Sequence, residues 1–273
     1  MPAVPSRLVR LDTTPSTQDV VRGLLEAGTP EVCVAVADAQ SAGRGRLGRT
    51  WTAPPGAALL VSAGFRPVAL APQHAWRVAA TAALAMLDAA EEVAGLRDAS
   101  LALKWPNDIV ADGPDGRLLK VAGVLGESVI GADGLASVIV GIGVNAGWRP
   151  EDFPSDLAPG MTSLLALSGG RPIDRDALLE AWLARLEPRY AALCDGRFDA
   201  GTWSVRQRTT GRRVEVATGD ATVAGIAGGV DPERGDLLLV DERTSQELAI
   251  GAGEVTRCRI VTLPERRARP GGV

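Results

Sequence analysis

The spacing of apolar residues along the chain predicts three helices, over residues 16–28, 73–94 and 174–187. Ser16 or Thr17 can cap the first helix, and Gly28 is expected to end it. Small alanines recur on one face of the second helix, which favours close packing against a neighbouring element. Pro188 is expected to end or kink the third helix, because proline removes a backbone hydrogen bond.

Apolar runs typical of strands alternate with these helices, at residues 31–40, 56–65, 101–105, 120–127 and 136–145. This alternation indicates an α/β or α+β sheet domain, which we assign to residues 1–208. From residue 211 onward the pattern changes to short strand-like runs separated by turns. These runs predict a small antiparallel β-barrel, assigned to residues 209–264. Residues 265–273 are basic and poor in apolar residues, so we expect a disordered tail.

Composition narrows the classes of function. The 273 residues are 46% hydrophobic and 23% charged with a net charge of −4, which fits a globular protein and excludes a nucleic-acid-binding polycation. His74 is the single histidine, which excludes multi-histidine metal sites. Cys33, Cys194 and Cys258 are widely spaced and odd in number, which favours reduced thiols and a cytoplasmic location. No segment approaches the ~20 apolar residues of a membrane helix, so we expect no membrane partner.

The stretch SAGRGRLGRTW, residues 41–51, alternates glycine with arginine ahead of Trp51. Glycine lets the backbone approach a ligand closely, and the arginine guanidinium is a planar fork that fits carboxylate and phosphate oxygens. A solvated charged turn is the alternative, but the density of arginines favours anion binding. The stretch matches neither a Walker A motif nor a Rossmann fingerprint, since it lacks GK[ST] and leads into a Pro-Pro loop instead of a helix.

Two further stretches carry candidate chemistry. In LKWPNDIV, residues 103–110, Pro106 biases the residue before it toward an extended backbone, and Asn107 and Asp108 are expected in a loop that faces a ligand. Ordinary strand-turn chemistry is the alternative for this pair. Lys120 opens the apolar run KVAGVLGE, where it is either an edge lysine with its stem on apolar surface or a cation in a ligand site.

The motifs GRGRLGRTW, KWPND, KVAGVLGE and GIGVN, in this order, resemble the biotin protein ligases, also called biotin–[acetyl-CoA-carboxylase] ligases. The resemblance implies an α+β fold, in which a mixed β-sheet catalytic domain is flanked by helices and followed by a small SH3-like β-barrel. That catalytic fold is related to class II aminoacyl-tRNA synthetases and lipoate ligases. Some members of the family carry a DNA-binding domain first. Here the motifs begin almost at Met1, so the monofunctional type without specific DNA binding is expected.

The resemblance implies a reaction in two steps. The biotin carboxylate attacks the α-phosphate of ATP, which gives biotinyl-5′-AMP and pyrophosphate. A lysine of a biotin carboxyl carrier domain, from an acyl-CoA or pyruvate carboxylase, then attacks the mixed anhydride and releases AMP. Pre-placed cations suit this chemistry, because negative charge grows on the phosphate oxygens. Mg²⁺ is expected to arrive with ATP, held through the phosphates and not by a protein metal site.

The resemblance also assigns residues by motif. The implied biotin site comprises Ser16, Thr17, Gln18, Gln40, Arg44, Gly45, Arg46 and Lys120, with Gln18 in place of the family's asparagine. The implied ATP site comprises Arg44, Arg46, Arg49, Trp51, Asn107, Lys120 and Asn145. Three residues are the implied catalytic set: Lys120 holds the carboxylate and phosphate oxygens, Arg46 closes over the adenylate, and Asp108 acts on the incoming lysine or on Mg²⁺. Asp108 can orient or deprotonate the lysine or help to place Mg²⁺, and orientation is favoured because a carboxylate is a weak base at pH 7.

Two other functions stay open at this point. One is a lipoate or octanoate ligase of the same fold, against which GRGRLGRTW and KWPND favour biotin. The other is a non-catalytic, biotin-sensing regulatory protein, against which the presence of Lys120 favours an enzyme. A weak homodimer is also left open.

Overall fold

The computed structural model describes residues 4–114, 116–219 and 221–261. Its larger sheet has seven strands in the order β1-β2-β3-β7-β6-β5-β4. They are β1 Arg7–Thr14, β2 Cys33–Gln40, β3 Ala58–Phe65, β4 Leu101–Lys104, β5 Asp108–Asp112, β6 Leu118–Gly131 and β7 Gly134–Asn145. Only the β1–β2 pair is parallel and the other pairs are antiparallel, so the mixed sheet expected from the sequence is confirmed.

The strand β5 corrects part of the sequence analysis, which had expected a loop at Asn107 and Asp108: Asn107 lies in a turn, but Asp108 belongs to a strand. Asp108 is the first residue of β5 and pairs with Lys104 of β4. The chain turns at residues 105–107 into a tight hairpin between β4 and β5. The apolar residues Ile109 and Val110 that follow the turn are buried. The backbone of Asp108 pairs with Lys104 of β4 on one side and with Gly123 of β6 on the other, just before a register shift between Ile109 and Val110.

Among the described residues, five α-helices flank the sheet: α1 Thr17–Glu26, α2 Trp76–Val93, α3 Leu164–Leu167, α4 Arg175–Cys194 and α5 Ala200–Val205. Ser16 occupies the N-cap position of α1, although its side chain makes no capping hydrogen bond. The α4 helix runs through Pro188, so the expectation that Pro188 ends it is wrong. Buried side chains on both sides of the proline, Leu186 and Tyr190, anchor the helix to the core and offset the missing backbone bond.

The C-terminal strands form a separate antiparallel sheet in the order β11-β10-β9-β8-β12. They are β8 Arg213–Thr218, β9 Ala221–Val230, β10 Leu237–Asp241, β11 Glu247–Ile250 and β12 Val255–Ile260. The closed barrel expected from the sequence is not formed by the described residues, in which β11 and β12 are opposite edges of the sheet. Closure needs continuous pairing around a ring, whereas the short β11 ends at a 3₁₀ turn, Ala252–Glu254, that leads into β12.

One continuous cluster of buried apolar side chains includes residues of both sheets and of α2 and α4. The division at residues 208 and 209 therefore stays a prediction, and the proposed tail at residues 265–273 lies outside the described residues. Among the residues described, no helix combines the length and the hydropathy needed to cross a membrane.

Candidate active site

A cavity of about 350 Å³ lies on the seven-stranded sheet, beneath residues 43–51, which we call the arginine loop. All residues that the sequence analysis assigned to ligand binding line this cavity except Ser16: Thr17, Gln18, Gln40, Arg44, Gly45, Arg46, Arg49, Trp51, Asn107, Asp108, Lys120 and Asn145. Ser16 is buried at the start of α1. Motifs that are far apart in sequence thus meet at one place in the fold.

One group of lining residues is neutral and joined by hydrogen bonds. The Gln40 side-chain oxygen accepts from the Thr17 backbone N–H at 2.8 Å and from its hydroxyl at 3.1 Å. The same hydroxyl lies 2.7 Å from the Ser62 hydroxyl on β3. Gln18 is nearly buried and donates to the Leu125 carbonyl at 3.3 Å. Such a cluster can hold a polar, uncharged group in a fixed orientation.

The arginine loop is folded back on itself as a small hairpin. The Gly45 N–H donates to the Arg49 carbonyl at 2.7 Å, and the Trp51 N–H donates to the Gly43 carbonyl at 2.9 Å. Leu47 adopts a left-handed backbone with a φ of 56°, which is unusual for a branched side chain, and Gly48 follows with 72°. The glycine–arginine alternation therefore produces a tight turn that directs its guanidinium groups to different neighbours.

The charge of Arg44 is neutralised within the protein. Its guanidinium donates to Asp19 of α1 at 2.8 Å and lies 3.5 Å from Glu127 of β6. The hydrogen bond to Arg44 is the main cause that lowers the pKa of Asp19 below its ordinary value, and the same bond raises the pKa of Arg44. Arg44 thus fastens the near end of the loop to the larger sheet and to α1.

Arg46 and Arg49 instead reach the C-terminal sheet. Arg46 donates to the Ala252 carbonyl and, at 3.3 Å, to the Val255 carbonyl. Arg49 donates to the Thr256 carbonyl at 3.0 Å. Carbonyl groups carry no net charge, so these contacts orient the two cations without neutralising them. Burial lowers the pKa of Arg46, as expected for a cation that is partly removed from water and lacks a carboxylate partner in direct contact.

Trp51 lies flat against the sheet because two glycines leave room for its ring. A Cβ atom at Gly143 of β7 would come within 2.4 Å of the indole, and one at Gly123 of β6 within 2.9 Å. The Lys120 ammonium lies 5.3 Å from the centroid of the same ring, within the range of a cation–π contact. Gly143 of GIGVN and Gly123 of KVAGVLGE are therefore explained by the close approach of the Trp51 ring.

The Asp108 carboxylate lies between two lysines, Lys120 and Lys104, in the cavity that Trp51 also lines. Asp108 Oδ1 is 2.7 Å from Lys120 Nζ, and its other oxygen is 3.8 Å from Lys104 Nζ. Sequence reasoning missed Lys104, although it is the first letter of KWPND. It also missed Cys258 of β12, which lines the same cavity and whose pKa is raised by burial. No local signal could have found Cys258, because its position depends on how the two sheets pack.

Two asparagines brace the backbone around the cavity. Asn107 donates to the Val124 carbonyl at 3.0 Å. Asn145 is buried and donates to the Thr162 carbonyl at 3.1 Å and to the Lys120 carbonyl at 3.5 Å. Asn145 therefore connects β6, which carries Lys120, to the segment that precedes α3.

An apolar wall completes the cavity, and it was not predicted. Trp148 and Phe153 stack with ring centroids 4.6 Å apart and nearly parallel planes, and Leu157 and Met161 line the cavity beside them. A flat apolar wall of this kind suits an aromatic base. The sequence signal was present as a tryptophan shortly after GIGVN, but nothing in its spacing distinguished it from an ordinary core residue.

The described lining includes a single carboxylate, Asp108. Within residues 4–114, 116–219 and 221–261, no three His, Cys, Asp or Glu side chains are grouped so that they could hold a metal ion. The donor set therefore fits a cation that arrives with its own phosphate ligands, and it does not form a cage for a resident metal.

Comparison with known proteins gives consistent matches. The Biotin/lipoate A/B protein ligase family matches residues 11–145. The biotin--[acetyl-CoA-carboxylase] ligase of Mycobacterium tuberculosis is 34% identical over 229 residues, which cover 83% of this chain and 79% of that protein. The bifunctional ligase/repressor BirA of Bacillus subtilis is 34% identical over 234 residues, covering 85% of this chain and 69% of that protein.

A solved structure agrees with these matches. The biotin protein ligase from Aquifex aeolicus in complex with biotin and ATP superposes with a TM-score of 0.75 at 27% sequence identity. The superposition covers 93% of this chain and 99% of that chain, so it includes both sheets.

Proposed function

Because the chain belongs to the biotin/lipoate A/B protein ligase family, we propose that it is a biotin ligase that uses ATP to attach biotin to a lysine of a biotin carboxyl carrier domain. The observation that carries this proposal is the composition of one cavity. A neutral hydrogen-bonding cluster and a set of cations line the same space of about 350 Å³. The first group suits the uncharged ring of biotin, and the second suits its carboxylate and the phosphates of ATP.

In the first step a biotin carboxylate oxygen bonds to the α-phosphorus of ATP, and pyrophosphate leaves with the electrons of the broken P–O bond. Lys120 supplies the cation closest to the reacting oxygens in this proposal, and it exchanges its contact with Asp108 for one with substrate. Asp108 keeps Lys104 as a partner 3.8 Å away, so the exchange does not leave the Asp108 carboxylate without a neighbouring cation. Arg46 and Arg49 add positive charge from the closed arginine loop.

In the second step the amine of the acceptor lysine attacks the carbonyl carbon of the mixed anhydride. AMP leaves with the electrons of the C–O bond, and the nitrogen loses a proton to solvent or to a nearby base. Asp108 lines the cavity and orients the incoming amine in this proposal. The positioning of two reactants in one site supplies much of the rate acceleration that such a reaction needs.

The nucleotide base is proposed to lie between Trp51 and the wall formed by Trp148 and Phe153, with Asn145 bracing the backbone beside it. Mg²⁺ accompanies the phosphates in this proposal, which the single lining carboxylate supports. The three free cysteines support a reducing compartment and therefore the cytoplasm as the place of the reaction. The net charge of −4 counts against DNA as the macromolecular partner.

The test is direct transfer. The purified chain is incubated with biotin, ATP, Mg²⁺ and an apo carrier domain, and mass spectrometry follows the acceptor lysine. We expect one biotin on one lysine, with AMP and pyrophosphate as products. Lipoate and octanoate replace biotin in parallel reactions. If lipoate or octanoate is transferred as fast as biotin, the result favours a lipoate or octanoate ligase instead of a biotin ligase.

A further inference from the structure

A second cavity of about 210 Å³ adjoins the first, and the two meet at the turn between β4 and β5. Arg46, Lys104, Asn107 and Asp108 line both of them. The second cavity continues between α2 and the C-terminal sheet, where Arg234, whose side chain is 77% exposed, places one end of it at the protein surface. A passage therefore leads from solvent to the Asp108 carboxylate alongside the arginine loop.

The reaction proposed above needs such a passage. The first cavity contains biotinyl-AMP when the acceptor lysine arrives, and the arginine loop covers that cavity. Arg44 ties the loop to Asp19 at 2.8 Å, and Arg49 ties it to the Thr256 carbonyl at 3.0 Å. An amine that entered through the loop would have to break these contacts, and it would expose the mixed anhydride to water. An entrance beside the β4–β5 turn lets the loop stay closed during transfer.

The walls of the second cavity suit the stem of a lysine side chain. They are lined by small and aromatic residues, Ala79, Ala80, Ala83, Trp76 and Trp203. Ala79 and Trp76 are only half-buried, so both retain accessible surface. The methylenes of a lysine pack favourably along apolar surface of this kind while the nitrogen at their end stays among polar groups.

The charges along the passage suit an amine that must lose a proton. The described residues that line it include three cations, Arg46, Lys104 and Arg234, and one carboxylate, Asp108. Arg234 pairs with Asp236 at 3.0 Å, whereas Arg46 contacts only carbonyl oxygens. Neighbouring positive charge lowers the pKa of a lysine and favours its neutral form. Only the neutral amine can attack the mixed anhydride, so an ammonium that passes these cations and gives its proton to solvent arrives ready to react.

We propose that the second cavity is the entrance through which the acceptor lysine of the carrier domain reaches the adenylate. The inference rests on the proposed function and adds to it the place where the lysine side chain lies during transfer. Ala79 and Trp76 line the second cavity and not the first. They therefore contact the carrier's lysine and neither biotin nor ATP, so adenylation and transfer depend on different walls.

The experiment narrows the passage and measures the two steps separately. Ala79→Leu should release pyrophosphate at the wild-type rate, because the first cavity is unchanged. Its transfer from biotinyl-AMP to an apo carrier domain should fall ~10- to 100-fold, since a reacting group misplaced by about 1 Å can lose ~10²-fold in rate. Transfer to hydroxylamine, which is small enough to pass, should stay at the wild-type rate. Ala184→Leu, at an exposed alanine of α4 outside both cavities, is the matched control and should change none of the three rates.

Disulfide trapping locates the lysine without filling the passage. A carrier domain with cysteine in place of the acceptor lysine should, under mild oxidation, form a mixed disulfide with Ala79→Cys and not with Ala184→Cys. Both variants carry Cys258→Ser, which removes the native thiol that lines the first cavity. Thermal melts check the folding of each variant, and the trapping result decides if Ala79→Leu does not fold.

Two kinds of failure can be told apart. If the wild-type chain biotinylates the carrier and Ala79→Leu does so equally fast, or if Ala79→Cys forms no disulfide, the lysine enters elsewhere and the passage alone is overturned. If the wild-type chain releases no pyrophosphate with biotin and ATP, the proposed function is overturned and the passage with it.

Discussion

Replacement of Lys120 by methionine removes one positive charge and keeps a side chain of similar length over the Trp51 ring. At an effective dielectric of about 20, two unit charges about 4 Å apart interact by about 4 kcal/mol. The Lys120 side chain is 26% exposed, so part of that interaction is screened by solvent. Deletion of one pre-placed electrostatic donor typically costs ~10²- to 10³-fold in rate. We therefore expect adenylation by Lys120→Met to be slower by ~10²-fold, about 2.7 kcal/mol in activation free energy.

The fold should tolerate this change. Asp108 loses its 2.7 Å contact with Lys120 but retains Lys104 at 3.8 Å. A pair that is partly exposed contributes about 1 kcal/mol or less to the free energy of unfolding, so the melting temperature should fall by only a few degrees. Loss of activity in Lys120→Met would then report on the reaction and not on folding.

The assay separates the two steps. Pyrophosphate release measures adenylation, and transfer from synthetic biotinyl-AMP to an apo carrier domain measures the second step alone. Lys120→Met should impair the first much more than the second, because charge accumulates mainly during adenylation. Lys104→Met is the matched control: it removes a cation near the same carboxylate and should affect mainly transfer, through the position of Asp108. Pyrophosphate release at the wild-type rate by Lys120→Met would refute the role given to this lysine.

Two further substitutions and two further measurements test other parts of the structure. Arg46→Gly should weaken retention of biotinyl-AMP by ~10- to 100-fold, the scale of one charge-assisted contact, and random acylation of lysines in bystander proteins would reveal the released adenylate. Gly143→Ala should displace the Trp51 ring, since its Cβ would lie 2.4 Å from the indole. We expect a loss of about 1–3 kcal/mol in the free energy of unfolding or a matching loss in ATP affinity. An unchanged melting temperature together with an unchanged ATP affinity would contradict the close approach. Burial raises the pKa of the Cys258 thiol, so its alkylation by iodoacetamide should be slow at neutral pH and faster as the pH rises. Bound biotinyl-AMP should slow the alkylation further. Rapid labelling of Cys258 at pH 7 would contradict the raised pKa. Finally, a gel shift with biotin-operon promoter DNA should show no salt-resistant, sequence-specific complex.

Local patterns of apolar residues predicted most of the elements, and the motifs that carry the family resemblance named many of the residues that line the 350 Å³ cavity. Apolar spacing located α2 and the buried strands to within a few residues, and the motifs placed Arg46, Asp108 and Lys120 in one site. The expectation that Pro188 ends α4 was wrong because tertiary packing of α4 outweighed a local propensity. The strand β5 was missed because its apolar core is only three residues long, Ile109, Val110 and Ala111.

Contacts between distant segments could not be predicted. Ser62 lies within an apolar strand, and only the fold brings its hydroxyl to Thr17. The same holds for Gln207, which follows α5 and is buried because residues 206 to 208 add to the edge of β4. Neither residue belongs to a motif, and a serine or glutamine alone carries no positional signal. The closed barrel was also a misjudgement of this kind, since strand count does not determine whether the edges meet.

The contacts of Arg46 and Arg49 with the C-terminal sheet end on main-chain oxygens of Ala252, Val255 and Thr256. A main-chain acceptor is the same whatever side chain the residue carries. Thr256→Ala should therefore leave the contact with Arg49 intact, and sequence changes at these positions need no covarying partner for the two arginines. Semisynthesis can expose it instead: an ester in place of the peptide bond after Val255 weakens that carbonyl as an acceptor while every side chain is retained. The contact between the arginine loop and the C-terminal sheet therefore depends on main-chain oxygens, and a comparison of sequences does not reveal it.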